Sequence, residues 1–222
     1  MKIGGIVPFT TVDYPDSLSA VLFCQGCPWR CLYCHNPHLQ SFSKEPFSWD
    51  SILKFLKKRK GFLDAVVFSG GEPTMQKDLS EKMKELCFLG FKIGLHTSGI
   101  DSDVLEESLP WCDWVGMDLK APFSLYEKIT GVSKIESVKK SARLVIEKAK
   151  SYEFRTTANP QILSLGELFE LADELVEMGA KSYVLQRARL ANTCGQNFYD
   201  EKTVELINSR LQKSFSRFII RF

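Results

Sequence analysis

Four cysteines fall within eleven residues of this chain, in the segment Cys24-Gln25-Gly26-Cys27-Pro28-Trp29-Arg30-Cys31-Leu32-Tyr33-Cys34-His35-Asn36-Pro37. Thiolates this closely spaced can converge on one metal ion or inorganic cluster, and the glycine and prolines among them let the backbone wrap around it. The set supports two readings. Taken as Cys27-x3-Cys31-x2-Cys34, it leaves one iron of a cubane without a protein ligand, and an open coordination position separates a catalytic centre from a structural one. Taken with Cys24 as a fourth ligand, it is a closed zinc or iron-sulfur site. Spacing alone leaves both open. The other three of the seven cysteines, Cys87, Cys112 and Cys194, are scattered and read as packing residues.

A second group with chemistry follows thirty-five residues after Cys34, in Ser69-Gly70-Gly71-Glu72-Pro73. Gly70 and Gly71 allow close approach of backbone to a ligand, and Glu72 offers an acceptor for a cationic amine; an ordinary strand-to-helix turn is the alternative. A third group is Met117-Asp118-Leu119-Lys120. On a strand, Asp118 and Lys120 share one face, and two inward charges are costly unless they pair or meet a ligand. Alternatively the strand is ending there and Lys120 reaches solvent. His96 taken alone reads as a hydrogen-bonded structural histidine.

These groups need elements to hold them. Apolar runs rich in β-branched and aromatic residues predict strands at Ser19–Phe23, Ala65–Ser69, Lys92–Thr97, Trp114–Lys120, Glu153–Thr157 and Ser182–Gln186. Between them, amphipathic segments predict helices at Ser48–Lys60, Gln76–Leu89, Asp101–Leu109, Ser137–Ser151, Ser164–Met178 and Asp200–Lys213. Ser48, Asp101 and Ser164 are suited to N-caps, and Gly61, Gly90 and Gly179 to C-terminal stops. Residues 1–18 form an N-terminal hairpin or lid in this reading, and Phe215–Phe222 an extra edge strand. Alternating strands and helices imply an α/β fold around a parallel sheet. No repeat or Pro/Gly/Ser-rich linker interrupts the chain, so residues 1–222 read as a single domain. In such a fold, catalytic groups gather at the C-terminal ends of the strands, where the cysteine segment and Gly70-Gly71-Glu72 both fall.

Composition narrows the partners. Twenty-nine basic and 27 acidic residues give a net charge of +2, which provides no electrostatic footprint for nucleic acid or an anionic membrane. The basic run Lys54–Lys60 reads as the solvated face of a helix. Met1–Pro15 has neither a basic start nor a long apolar stretch, so a cytoplasmic location is expected and the clustered cysteines read as ligands, not disulfide partners.

Cys27-x3-Cys31-x2-Cys34, with the aromatic Tyr33 before the last cysteine, resembles the signature of the radical S-adenosylmethionine (SAM) superfamily. Gly70-Gly71-Glu72-Pro73 resembles that superfamily's Gly-Gly-Glu-Pro motif. Asp13-Tyr14-Pro15, Gln25-Gly26-Cys27, Cys34-His35-Asn36-Pro37 and Met117-Asp118-Leu119-Lys120 narrow the resemblance to glycyl-radical-enzyme activases, most closely the anaerobic ribonucleoside-triphosphate reductase activating type. One position departs: where activases often carry Asp-Thr-Asn-Gly after the third strand, this chain has His96-Thr97-Ser98-Gly99. That removes a carboxylate on which a cation site could be built and leaves Thr97 and Ser98 as the expected SAM contacts.

The resemblance implies a partial (β/α)6 barrel, open on one side, with one [4Fe-4S] cluster on Cys27, Cys31 and Cys34. No further cysteine lies between Cys34 and the second predicted strand, so a second cluster is not expected. It further implies SAM contacts from Tyr33, Gly70, Gly71, Glu72, Asp118 and Lys120, with Lys120 near the reacting groups. Arg155, Asn159, Gln186 and Arg187, at strand ends, sit where a SAM ribose or carboxylate could be met, and Gln186 is the choice among the last pair. Arg189, Cys194 and Gly195 are given no role. The implied partners are a glycyl radical enzyme and a flavodoxin- or ferredoxin-type electron donor, with neither nucleic acid nor membrane. A radical SAM enzyme acting on a small molecule or RNA would share the same motifs, and a non-enzymatic four-cysteine module would need no Gly70-Gly71-Glu72.

Overall fold

The computed structural model describes residues 1–42, 47–188 and 199–221. The described chain divides into two compact units: Met1–Pro28, Asn36–Met117 and Glu136–Tyr152 in the first, and Trp29–His35, Asp118–Ile135 and Glu153–Phe222 in the second.

The first unit is built on β1 (Ile3–Thr10), β2 (Ser19–Cys24), β3 (Ala65–Gly70), β4 (Lys92–Thr97) and β5 (Trp114–Asp118), the last residue of β5 belonging to the second unit. β1 runs antiparallel to β2 as a hairpin arm, and β2, β3, β4 and β5 follow in parallel. The register runs Ser19↔Ala65 to Cys24↔Gly70, Ala65↔Lys92 to Phe68↔Leu95, and Gly94↔Trp114 to Thr97↔Met117. Ala20, Leu22, Val66, Val67, Phe68, Ile93, Leu95 and Val115 are completely buried. Such unbroken apolar runs, in place of alternation, mark strands covered on both faces. Burial of each large aliphatic side chain contributes about 1.5–3 kcal/mol before entropy is counted.

Helices α1 (Trp49–Lys57), α2 (Leu79–Phe88), α3 (Ser102–Ser108) and, from its second residue, α5 (Ile135–Lys148) belong to this unit. The Ser48 hydroxyl caps α1 by accepting from Ser51 N–H, and Asp101 caps α3 by accepting from Asp103 and Val104 N–H. α2 starts three residues later than the amphipathic pattern suggests, because Gln76 is held extended by its side-chain bond to the Gln25 carbonyl at 2.9 Å.

The second unit holds the short α4 (Tyr126–Thr130), then β6 (Tyr152–Ala158) from its second residue, α6 (Leu165–Glu177), β7 (Ser182–Arg187), α7 (Glu201–Ser214) and β8 (Arg217–Arg221). β6, β7 and β8 are parallel, with Phe154↔Tyr183 to Ala158↔Arg187 and Ser182↔Arg217 to Gln186↔Arg221. Ser164 and Glu167 close a reciprocal capping box at the start of α6. α4 was not foreseen: five residues give too little periodicity to read, and its stop is Gly131 at φ 73°. The carboxylate of Glu153, fully buried on β6, receives Arg221 at 2.6 and 2.9 Å and Arg217 at 3.1 Å. That pairing explains how an acidic residue is tolerated in a strand core. Among the described residues, no helix is long and apolar enough to cross a membrane.

Candidate functional site

In the first unit the candidate site is assembled where β2 and β3 end side by side. The parallel register sets Cys24 opposite Gly70, so the loop after β2 and the turn after β3 leave the sheet at the same level. Backbone bonds then join them: Gly71 N–H donates to Cys24 O at 2.9 Å, and Glu72 N–H to Gly26 O at 2.9 Å. A Cβ on Gly71 would lie 2.4 Å from Gly26 O and 2.9 Å from Leu39 O, so only glycine permits this approach. From the other side Gly26 N–H reaches Leu39 O at 2.8 Å and Cys27 N–H reaches Gln40 O at 3.2 Å. The buried Gln25 amide donates to His38 O at 3.2 Å and to Ser41 O at 2.5 Å. Cys27 is thus presented, 8% exposed, on a loop fixed at both ends.

Cys24 lies differently. It is the last residue of β2 and fully buried, and burial pushes its thiol pKa far upward, with the neighbouring Glu72 and Asp78 adding to the effect. Its backbone carbonyl is taken by Gly71 N–H, and its side chain packs in the core at the end of β2.

Glu72 is 1% exposed. Its Oε1 accepts from Thr74 N–H at 3.0 Å, Thr74 hydroxyl at 2.8 Å and Thr97 hydroxyl at 2.5 Å, and its Oε2 accepts from Ser98 N–H at 2.8 Å and from the Ser98 hydroxyl. The structure therefore joins Gly70, Gly71, Glu72, Thr97 and Ser98. It does so by committing the carboxylate, and the hydroxyl protons of Thr97 and Ser98, to one another. His96 Nε2 lies 2.9 Å from the Asp13 carbonyl oxygen, and its ring meets Trp114 edge-on at 5.3 Å. Tyr14 packs on the same Trp114 at 6.0 Å. The His96 ring thereby fastens the Asp13-Tyr14-Pro15 turn to β4.

In the second unit, Cys31 and Cys34 are partly exposed and joined by Cys34 N–H to Cys31 O at 3.1 Å. Arg30 N–H donates to Thr130 O at 2.8 Å, and Trp29 meets Tyr126 edge-on at 5.7 Å, so α4 backs this stretch. Burial raises the Cys31 thiol pKa while the Lys120 ammonium pulls it down, the net direction being upward. Tyr33 is buried, and neither its hydroxyl nor that of Tyr126 has a hydrogen-bond partner among the described residues.

β5 stops at Asp118, two residues short of the predicted end, yet Lys120 does not escape to solvent: its side chain is 12% exposed and its Nζ lies 3.7 Å from Asp118 Oδ2. Burial opposes the ammonium, but Tyr33, Asp118 and Cys31 favour it and win, holding its pKa well above the ordinary lysine range. The other Asp118 oxygen receives Arg155 Nε at 2.8 Å. Asp118, Lys120 and Arg155 are therefore one charged group. Gln186 lies at the end of β7, half-buried and paired in register with Thr157 and Arg221. Asn159, fully buried after β6, uses Oδ1 to accept Gln161 N–H at 2.8 Å, and its Nδ2 has no partner among the described residues. Arg189, Cys194 and Gly195 lie outside the described residues.

Among the described residues no three His, Cys, Asp or Glu side chains are drawn together tightly enough to hold a single metal ion. A cluster with an iron at each of several corners asks its cysteines to stand further apart than one ion does. What the structure does provide is, in the first unit, a glycine cradle at the first cysteine and, in the second, two partly exposed cysteines, of which Cys31 feels the Lys120 ammonium. Each of these candidate donors is a cysteine sulfur, the ligand type iron-sulfur clusters take as thiolate. Sequence reasoning missed the Gln25–Gln76 lock and the donors around Glu72. The signal for the first was a pair of buried amides fifty-one residues apart, which only the strand register brings into contact.

The family model for the radical SAM superfamily matches residues 21–159. A protein assigned as a glycyl-radical enzyme activating enzyme in Methanocaldococcus jannaschii is 33% identical over 181 residues, 77% of this chain and 73% of that one. The pyruvate formate-lyase-activating enzyme of Clostridium pasteurianum is 33% identical over 140 residues, 60% of this chain, which thereby spans 58% of that relative. Among solved structures, a radical SAM methyltransferase from Sphaerobacter thermophilus superposes with a TM-score of 0.71 at 15% identity, over 96% of this chain and 68% of that one. At that identity the likeness establishes the fold alone.

Proposed function

The chain belongs to the radical SAM superfamily and to its glycyl-radical-enzyme activating branch, and from that membership we propose that it cleaves SAM reductively to place a radical on a glycine of a partner enzyme. The observation that carries this reading is the junction of Gly71 and Glu72 with the Cys27 loop through Gly71 N–H to Cys24 O and Glu72 N–H to Gly26 O, both at 2.9 Å. It sets a backbone turn suited to a small ligand against the first of the candidate cluster cysteines.

In this reading Cys27, Cys31 and Cys34 hold one [4Fe-4S] cluster and Cys24 remains a protonated core residue. Held there, the cluster would supply one-electron reduction, with the electron drawn from an external donor, for cleavage of SAM to methionine and a 5′-deoxyadenosyl radical able to take a hydrogen atom from a partner glycine Cα. The chain's own residues bind and orient. The Gly70-Gly71-Glu72 backbone meets the methionyl amino group. Lys120, kept charged, supplies a cation for the methionyl carboxylate, and Asp118 with Arg155 fixes its position. The backbone at the end of β4, at Thr97 and Ser98, meets the methionyl moiety as well, and Tyr33 and Gln186 flank the nucleoside.

The partner we favour is anaerobic ribonucleoside-triphosphate reductase, reduced by way of a flavodoxin- or ferredoxin-type donor in the cytoplasm. Support comes from Asp13-Tyr14-Pro15, Cys34-His35-Asn36-Pro37 and Met117-Asp118-Leu119-Lys120. The test is to reconstitute the protein anaerobically with iron and sulfide, reduce it with SAM, and add candidate glycyl radical enzymes. A glycyl radical doublet in electron paramagnetic resonance with the ribonucleotide reductase is expected. A doublet with pyruvate formate-lyase only would reassign the partner, and none with any glycyl radical enzyme of the source cell would overturn the activase reading.

A further inference from the structure

We propose that Glu72 is a positioning residue: its carboxylate holds the ends of β3 and β4 where their backbone groups can meet the methionyl moiety of SAM, and does not itself receive the ligand's ammonium. The inference rests on the SAM-binding reading above and deepens it. An ionised carboxylate offers about four lone-pair sites. Five protein donors from Thr74, Thr97 and Ser98 already converge on Glu72 within 3.0 Å, and the side chain is 1% exposed. An ammonium could reach it only by displacing one of them and leaving a buried N–H or O–H unpaired.

The donors lie where they organise backbone. Ser98 gives both its N–H and its hydroxyl, so the peptide after β4 is fixed in orientation as well as in place. Thr97 Oγ1, while donating to Glu72, accepts Gly99 N–H at 2.9 Å and shapes the next peptide. Thr74 Oγ1 accepts the N–H of Asp101, the cap of α3, at 3.4 Å. Through its own N–H, Glu72 also holds Gly26, the residue before Cys27. The carboxylate thus couples the turn after β3, the end of β4 and the start of α3, and the Glu72 backbone adds the Cys27 loop.

The experiment is SAM affinity by equilibrium dialysis on reconstituted protein, with iron content and melting temperature measured in parallel. Thr97→Val/Ser98→Ala removes two donors and leaves the carboxylate intact. Positioning requires SAM affinity to fall about tenfold at unchanged iron content, with Thr97→Ser restoring what Thr97→Val loses. If Glu72 were the ammonium acceptor, freeing its lone pairs would leave affinity unchanged or raise it, and either result overturns the proposal. Should the double variant fail to fold, the Thr97→Val and Thr97→Ser pair decides in the same sense. Wild-type protein that binds no SAM would overturn the underlying SAM reading; wild-type binding with an unaffected variant overturns this inference alone.

Discussion

Arg155 Nε lies 2.8 Å from Asp118 Oδ1, and Lys120 Nζ lies 3.7 Å from the other oxygen of the same carboxylate. One anion therefore orients two buried or nearly buried cations at the end of β5. Removing it leaves those charges unbalanced. Asp118→Asn is expected to lower 5′-deoxyadenosine formation at least tenfold while iron and sulfide content stay normal. The check is product quantification beside iron analysis.

Gly71→Ala places a methyl group 2.4 Å from a backbone oxygen of the Cys27 loop, where no flexible side chain can yield. The loop must shift, at a cost of about 1–3 kcal/mol. Thermal unfolding is expected to move down accordingly, and reconstituted iron per chain to fall with it. An unchanged iron content would show that this contact does not place Cys27.

Glu153 binds Arg217 and Arg221 of the last strand from a fully buried position. Glu153→Gln keeps the shape and removes the charge. Both arginines are more than a third exposed and can turn to water, which moderates the loss to about 2–3 kcal/mol. Urea unfolding measures it, and the largest gain in hydrogen exchange is expected in Arg217–Arg221.

The Glu167 carboxyl is held below its ordinary pKa by the Ser164 side chain and then by the Ser164 N–H. A depressed folded-state pKa contributes stability that is present above the unfolded pKa and disappears as pH falls through the folded one. Glu167→Gln should therefore cost at most about 1 kcal/mol at neutral pH, less at high salt because the group is largely solvated, and nothing once both proteins are below the folded pKa. Urea midpoints of the two proteins measured across the acid range should converge.

Strands β2 to β7 were legible as short runs rich in apolar, β-branched and aromatic residues between amphipathic segments, and the capped helices because Ser48, Asp101 and Ser164 announce themselves locally. The cysteines and Gly70-Gly71-Glu72 were legible as motifs. What Glu72 touches was not: a glutamate after two glycines reads as a free acceptor, and its partners Thr97 and Ser98 come from the next strand, twenty-five and twenty-six residues on. Gln25 with Gln76, and Glu153 with Arg217 and Arg221, are hidden for the same reason. Such pairs exist only once parallel register is set, and register depends on the packed sheet rather than on any local pattern.

The most direct measurement is the yield of 5′-deoxyadenosine from anaerobically reconstituted, reduced protein given SAM, compared between wild type, Cys24→Ala and Cys31→Ala. An open iron on Cys27, Cys31 and Cys34 requires product from wild type and Cys24→Ala and none from Cys31→Ala. Product from Cys31→Ala with none from Cys24→Ala, or no product from wild type, would contradict it.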